Sequence, residues 1–92
     1  MTRYTVVAVP EAEQELLQLY VNGPPSERNR IRRASDFFDK QLRFDAHLKG
    51  FPVPDRQGAR FWFKDILEID FEVREPDRMV KILKYRRSAA VK

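Results

Sequence analysis

The first part of the chain changes its hydrophobic period at Pro10. Residues 4–9 are rich in β-branched side chains and stop at this proline, which cannot continue a sheet ladder, so they predict a strand. The apolar positions that follow lie on one face of a helix, at Ala12, Leu16, Leu19 and Tyr20. The pair Asn22-Gly23 and the two prolines after it predict the end of this helix.

A second helix is predicted from Ser26, because serine is a common N-cap residue. Its apolar positions repeat every three or four residues, at Ile31, Ala34, Phe38 (or Phe37) and Leu42. The opposite face is strongly charged. We expect this helix to end near Phe44, with Gly50 as the outer limit.

Three strands are predicted in the second half, after a loop at residues 50–58 that is rich in proline and glycine. Residues 59–63 are short and aromatic. Residues 66–74 alternate apolar and charged side chains, which is the period of a strand with one face on a core. Residues 79–85 follow a turn and are predicted to complete an antiparallel hairpin.

The order of these elements, β-α-α-β-β-β, predicts an α+β fold with a helical hairpin packed on one face of a mostly antiparallel sheet. A length of 92 residues suits a single domain, which we place at residues 1–92. The tail from Arg86 is expected to be frayed, with residues 88–92 flexible.

Composition narrows the classes of site that the chain could form. There is no cysteine and His47 is the only histidine, so thiolate and histidine-cluster metal sites are excluded, and we expect neither metal nor cofactor. No apolar stretch has the length of a signal peptide or a membrane span, which predicts a soluble, cytoplasmic protein without membrane contact. The net charge of +4 suits a nucleic-acid or acidic-protein partner without requiring one.

The element order and several short segments together resemble the RelE/ParE toxin superfamily. The segments are the strand running into Pro10-Glu11-Ala12-Glu13, then Leu42-Arg43-Phe44-Asp45, Gly50, Gly58, Arg60, Ile69-Asp70-Phe71-Glu72-Val73, and Asp77 to Lys84. The resemblance covers roughly residues 4–87, and its strength lies in the order and spacing of the segments.

The resemblance implies the toxin of a bacterial type II toxin–antitoxin system, also described as a plasmid stabilisation protein, that inhibits growth and is neutralised by a cognate antitoxin. RelE-like members cut mRNA on the ribosome without metal and so inhibit translation as mRNA interferases. ParE-like members poison DNA gyrase. For this chain, the ParE-like mode is slightly preferred and the RelE-like mRNA endonuclease is the alternative. An inactive or purely binding member of the fold is also possible. The oligomeric state stays open, and the protein could be a homodimer.

Metal-free RNA cleavage needs cations for the developing charge on the phosphorane and groups that move protons. Five residues on or after the predicted strands are candidates for this catalysis: Arg60, Lys64, Tyr85, Arg86 and Arg87. The second and last strands could bring them together at one end of the sheet. The alternative is that these basic residues are simply solvated and that the Tyr85 ring caps the core.

Six further residues are candidates for binding nucleic acid or a partner: Arg28, Arg32, Arg33, Trp62, Lys81 and Lys84. The arginines near the start of the second helix oppose the positive end of the helix dipole, which makes a functional reason possible. The preferred interpretation is a solvated helix face with Glu27 and Asp36 as local partners. Phe61 and Phe63 are interpreted as core and Trp62 as the outward ring of that strand. His47 is interpreted as a helix-end residue, because no orienting partner stands beside it.

An acidic stripe on the third predicted strand, residues 66–74, argues against a ribonuclease. Glu68, Asp70 and Glu72 share the face that would meet RNA, and Glu68 stands where RelE-like enzymes place an arginine. Such a stripe repels phosphate, unless Lys81 on the neighbouring strand offsets it.

Overall fold

A computed structural model describes residues 1–88. The chain forms β1 (Thr5–Ala8), α1 (Pro10–Asn22), α2 (Pro25–Gln41), a 3-10 turn (Ala46–Leu48), β2 (Phe51–Pro52), β3 (Ala59–Lys64), β4 (Leu67–Arg74) and β5 (Met79–Arg87). The five strands make one sheet in the order β1-β5-β4-β3-β2. All neighbouring pairs are antiparallel except β1 and β5, which run parallel. The predicted α+β class and the helical hairpin are confirmed.

The core lies between the helices and one face of the sheet. The period-2 pattern of β4 is confirmed, because Leu67, Ile69, Phe71 and Val73 are all buried. The predicted apolar face of the second helix is confirmed as well. Its four positions, the last of which is the C-cap residue of α2, are all buried: Ile31, Ala34, Phe38 and Leu42. On α1, Ala12 is fully buried while Tyr20 is exposed, so the small alanine marks where α1 approaches the sheet most closely.

Both ends of α2 differ from the prediction. The helix begins at Pro25 with Pro24 as its N-cap, so Ser26 is not the cap. Proline suits the first turn because its fixed φ is helical. It lacks a backbone N–H, but the first N–H groups of a helix have no acceptor within the helix, so no hydrogen bond is lost there. The helix ends at Gln41 and not near Phe44, because Asp45 takes the left-handed conformation (φ 52°) and Arg43 turns its carbonyl to the Tyr4 N–H, 2.8 Å away.

The loop and the tail are also more ordered than predicted. Phe51 and Pro52 form a two-residue edge strand against Phe61 and Arg60. The last strand continues past the predicted limit of residue 85 because Arg86 and Arg87 pair with Glu68 and Leu67 of β4. The expected fraying from Arg86 is therefore wrong, and of the flexible tail predicted at 88–92, residues 89–92 lie outside the described part of the chain.

Candidate functional site

The sheet face that the helices leave open carries two rows of opposite charge. Glu68, Asp70 and Glu72 project from β4, and in register beside them stand Arg86, Lys84 and Lys81 of β5. A β-bulge between Asp70 and Phe71 keeps both rows on this face along the whole strand pair. Three acidic and three basic side chains therefore face each other, and cross-strand pairing of this kind cancels much of the charge on the face.

Arg86 is the most constrained cation of this face. Its Nη1 donates to Asp70 Oδ2 at 2.7 Å and its Nη2 to Asp70 Oδ1 at 3.0 Å, and it also forms an ion pair with Glu68. These partners, led by the hydrogen bonds to Asp70, raise the pKa of Arg86. A phosphate would have to displace two carboxylates to reach the guanidinium, so the group is not prepared to stabilise a transition state.

Tyr85 lies on the opposite face of β5, inside the core. Its side chain is 4% exposed, and its backbone N–H donates to Glu15 Oε1 of α1 at 3.2 Å. Burial, followed by the nearby charge of Asp39, raises the pKa of Tyr85 to about 12, against a hydrogen bond with Ser35 that lowers it. The ring caps the core and the phenol is a poor proton donor at neutral pH.

Raised pH is expected to destabilise the protein through Tyr85. The folded state holds the phenol proton up to about pH 12, whereas the unfolded chain releases it from a model value of 10.0, so this stability is present below pH 10 and is lost as pH rises to 12. The loss should be about 2 kcal/mol across that window. Urea unfolding of the wild type and of Tyr85→Phe between pH 9 and pH 12 measures it. If the free energies of unfolding of the two proteins fell equally with pH, the buried phenol would contribute nothing to the pH dependence of stability.

The three other catalytic candidates are also turned away from the open face. Arg60 donates from Nε to the Lys49 carbonyl at 2.5 Å and from Nη2 to the Gly50 carbonyl at 3.1 Å. The Lys64 ammonium lies 4.8 Å from the centre of the Phe37 ring on α2. Arg87 is held by Glu27 of α2, with an Nη1–Oε1 distance of 2.5 Å. Tyr85, Arg86 and Arg87 follow one another on β5 and line one groove, while β4 separates them from Arg60 and Lys64 on β3. Arg60 and Arg86 border one smaller cavity, so the five candidates do not form a single cluster. By strand alternation Arg86 is the one of the five that projects from the open face.

The two faces of β3 are the reverse of those predicted from the sequence. Trp62 packs on the helices, with its ring centre 5.2 Å from Phe37 and 5.6 Å from Phe38. Phe61 and Phe63 lie on the other face, where both contact Phe51 of β2, and Phe63 is 43% exposed. The indole fits here because α2 offers two adjacent phenylalanines to the same strand. The predicted outward placement of Trp62 is therefore wrong, because its ring lies on the helix side of the sheet.

The basic cluster of α2 is divided among local partners. Arg28 lies 5.7 Å from the Tyr20 ring centre and donates from Nε to the Tyr20 carbonyl at 3.2 Å. Arg32 donates to Asn29 at 3.2 Å, while Arg33 is exposed. Arg30 pairs with Asp65 in the β3–β4 turn, and this pair lowers the pKa of Asp65. The cluster thus anchors its helix to neighbouring elements and leaves Arg33 in solvent.

Three solved structures share this architecture. The RelBE2 toxin–antitoxin complex from Mycobacterium tuberculosis matches with a TM-score of 0.70 and 20% identity, over 97% of this chain and 95% of that chain. A chromosomal ParDE system from P. aeruginosa matches with a TM-score of 0.70 and 16% identity, over 95% and 98%. A mutant of the E. coli toxin RelE in the free state gives 0.64 and 8%, over 97% and 87%. The fold is that of the RelE/ParE toxins.

The sequence of this RelE/ParE-like chain matches no protein-family model, and no curated protein matches it either. The likeness is therefore carried by the backbone arrangement, as the low identities indicate. No helix in residues 1–88 combines the length and apolarity that a membrane crossing requires.

An apolar groove of about 560 Å³ runs along the hairpin side of this RelE/ParE-like fold. Its floor is formed by Leu19, Ile31, Ile66, Leu67 and Tyr85. Glu15, Glu27 and Arg87 stand at its rim. The groove follows the part of β5 that lies beyond Ile82, where β1 has already ended and no strand within residues 1–88 pairs with the outer edge. Sequence reasoning missed this groove, because it combines residues from both helices with the ends of two strands.

Proposed function

We propose that this chain is the toxin of a type II toxin–antitoxin pair and that it arrests growth by binding DNA gyrase and not by cutting mRNA. The fold supports the first part, because its structural neighbours are RelE and ParE toxins, two of them in toxin–antitoxin systems. The second part rests on the open face of the sheet.

The observation that carries the second part is the double engagement of Arg86 by Asp70 and Glu68. Cleavage without metal needs an arginine or lysine that is available to phosphate oxygens, because that charge replaces the metal in stabilising the phosphorane. Here the cations of the open face stand opposite carboxylates, and Tyr85 is buried. A face of balanced charge is better suited to a protein partner than to an RNA backbone.

Induced expression in a bacterial host without the neighbouring antitoxin gene tests the proposal. The expected result is growth arrest with broken chromosomal DNA and intact mRNA. Cuts at the ribosomal A site would favour the endonuclease and overturn the gyrase assignment. Unimpaired growth would overturn the assignment as a toxin.

A variant without the charges of Arg86, Glu68 and Asp70 tests whether the activity needs the arginine of the open face. Replacing the ion-paired group together, as Arg86→Gln, Glu68→Gln and Asp70→Asn, removes the arginine without leaving its carboxylates unpaired. Any arrest that this variant still causes should come with broken chromosomal DNA and intact mRNA, because the proposed activity needs no catalytic arginine. An arrest that disappears in a variant with unchanged thermal unfolding would show that this charged group takes part in the activity, as a contact or as a catalyst.

The antitoxin is proposed to place an apolar segment in the groove between α1 and β5. Leu19→Ala removes apolar area from the groove floor and should weaken antitoxin binding about 10-fold, which corresponds to about 1.4 kcal/mol. Leu17→Ala is the matched control, because Leu17 is 51% exposed on the same helix and does not line the groove. Titration calorimetry with the antitoxin compares the two variants, and equal affinities would place the antitoxin elsewhere.

A further inference from the structure

A second cavity of about 560 Å³ lies where β3 begins and β4 ends, away from the apolar groove. Two of its lining residues, Arg56 and Arg60, also border a smaller cavity beside the charged rows. The lining of the larger cavity includes three arginines and the only histidine of the chain: Arg56, Arg60, Arg74 and His47. These residues come from the 3-10 turn, the loop before β3, and the strands β3 and β4. The proposed antitoxin groove contains none of them.

His47 is oriented by two residues that are distant in sequence. The Tyr4 hydroxyl lies 2.9 Å from His47 Nδ1 and donates to the Glu75 carboxylate, 2.9 Å from Oε1 and 3.1 Å from Oε2. Tyr4 has one hydroxyl proton and gives it to the carboxylate, so His47 Nδ1 carries its own proton and donates to the Tyr4 oxygen. The Nε2 atom is then the ring nitrogen that remains for a ligand. A fixed tautomer of this kind is typical of histidines that bind or catalyse.

Tyr4 makes this arrangement rigid. It is 6% exposed and belongs to the core, and burial together with the hydrogen bond to Glu75 raises the pKa of its hydroxyl. The phenol therefore keeps its proton and its donor role at neutral pH. His47 is thus held by a buried neutral group and not by a mobile surface contact.

Arg60 is held in place as well. Its two bonds to the Lys49 and Gly50 carbonyls use Nε and Nη2, which fixes the plane of the guanidinium beside the cavity. The Nη1 group is not engaged by these two bonds. A guanidinium fixed in this way loses little entropy when it binds an anion.

The balance of charge in the cavity favours an anionic ligand. Arg56 and Arg60 bring two positive charges, and Arg74 brings a third, with Asp77 3.5 Å from its Nε. The carboxylate in the lining is Glu75, which already accepts the Tyr4 hydroxyl. Guanidinium groups bind phosphate oxygens in a forked geometry, and a cavity of this volume is in the range that holds small ligands.

We propose that this cavity binds the phosphate group of a nucleotide-sized ligand, with Arg56, Arg60 and Arg74 as the cationic contacts, while His47 Nε2, an acceptor in this tautomer, accepts from a hydroxyl or amino group of the same ligand. The site goes beyond the proposed toxin function and does not depend on it, because the ligand is bound by the isolated protein.

The single histidine provides a direct test. Its imidazole carbon-bound protons give one set of NMR signals, which can be followed while the protein is titrated with AMP, adenosine or inorganic phosphate. AMP is expected to produce a saturable shift and adenosine none. Inorganic phosphate should bind more weakly than AMP, because it fills only part of the cavity.

A matched pair of variants distinguishes a site from general surface charge. Arg56→Gln removes one lining cation and should weaken AMP binding about 10-fold. Arg33→Gln removes the same charge from the exposed surface of α2 and should leave the affinity unchanged. An equal effect of both variants, or a shift that does not saturate, would overturn the proposal. Phosphate binding more tightly than AMP would overturn its nucleotide part and leave a site for a free anion.

Discussion

Alanine at Gly50 is expected to lower the free energy of unfolding by about 3 to 5 kcal/mol. Gly50 has a φ of +66°, a conformation that costs an L-residue roughly 1–2 kcal/mol. A Cβ at this position would lie 2.4 Å from the Phe61 carbonyl oxygen and 3.0 Å from Trp62 Cβ, so the loop would have to move away from β3. The same loop supplies the carbonyls that hold Arg60, so the guanidinium would lose its anchor.

Gly58→Ala is the control that measures the cost of a positive φ without a severe steric clash. Gly58 also has a positive φ of +81°, but a Cβ there would lie 3.1 Å from the Val73 carbonyl oxygen, which a small shift relieves. We expect a loss of about 1–2 kcal/mol. Urea unfolding of both variants gives the comparison, and a Gly50 loss no larger than that of Gly58 would show that the predicted clash is absorbed without cost.

Arg86→Ala is expected to have the second largest effect, a loss of about 2–3 kcal/mol. The substitution leaves Glu68, whose side chain is only 15% exposed, and Asp70 on adjacent positions of one strand face without their shared cation. Without the arginine the two carboxylates repel each other. They also remain partly buried, so the free energy spent in removing them from water is no longer offset by an ion pair. Chemical unfolding at low salt measures the loss.

The neighbouring arginine supplies the comparison for Arg86. Arg87→Ala removes an ion pair at the sheet end, where the arginine side chain is 46% exposed, and should destabilise the protein much less than Arg86→Ala does. Neutralising the carboxylates together with Arg86, as Glu68→Gln and Asp70→Asn with Arg86→Gln, should recover most of the stability. If the neutral variant were as unstable as Arg86→Ala, packing of the arginine stem would explain the loss instead.

Periodicity predicted the elements well because it reports burial directly. The alternation in β4 and the three-and-four spacing in α2 depend on a single preference, apolar side chains toward the core, and both are confirmed by the buried residues. The same reasoning failed for β3. There both faces are aromatic, so the period shows that Phe61 and Phe63 share a face but does not show which face meets α2.

The candidate site was harder to predict because its contacts are non-local. Arg86 was a reasonable catalytic candidate from its type and position, and the acidic stripe was recognised, but their pairing depends on the β4–β5 register. His47 was set aside for lack of a local partner. Its partner is Tyr4, 43 residues away in the chain, and Tyr4 is in turn held by Glu75, so the contact forms only when these distant segments come together in the fold.

The place of β5 in the sheet has a consequence for how the protein is made. This last strand lies between β1 and β4, and it pairs Thr5 with Met79 across almost the whole chain. A nascent chain therefore holds its first strand without a neighbour until β5, which begins 74 residues after Thr5, has been made, roughly 4–15 s later at 5–20 residues per second. The five-stranded sheet is then completed in one late step, and any binding surface that spans β4 and β5 forms only after β5 has been synthesised.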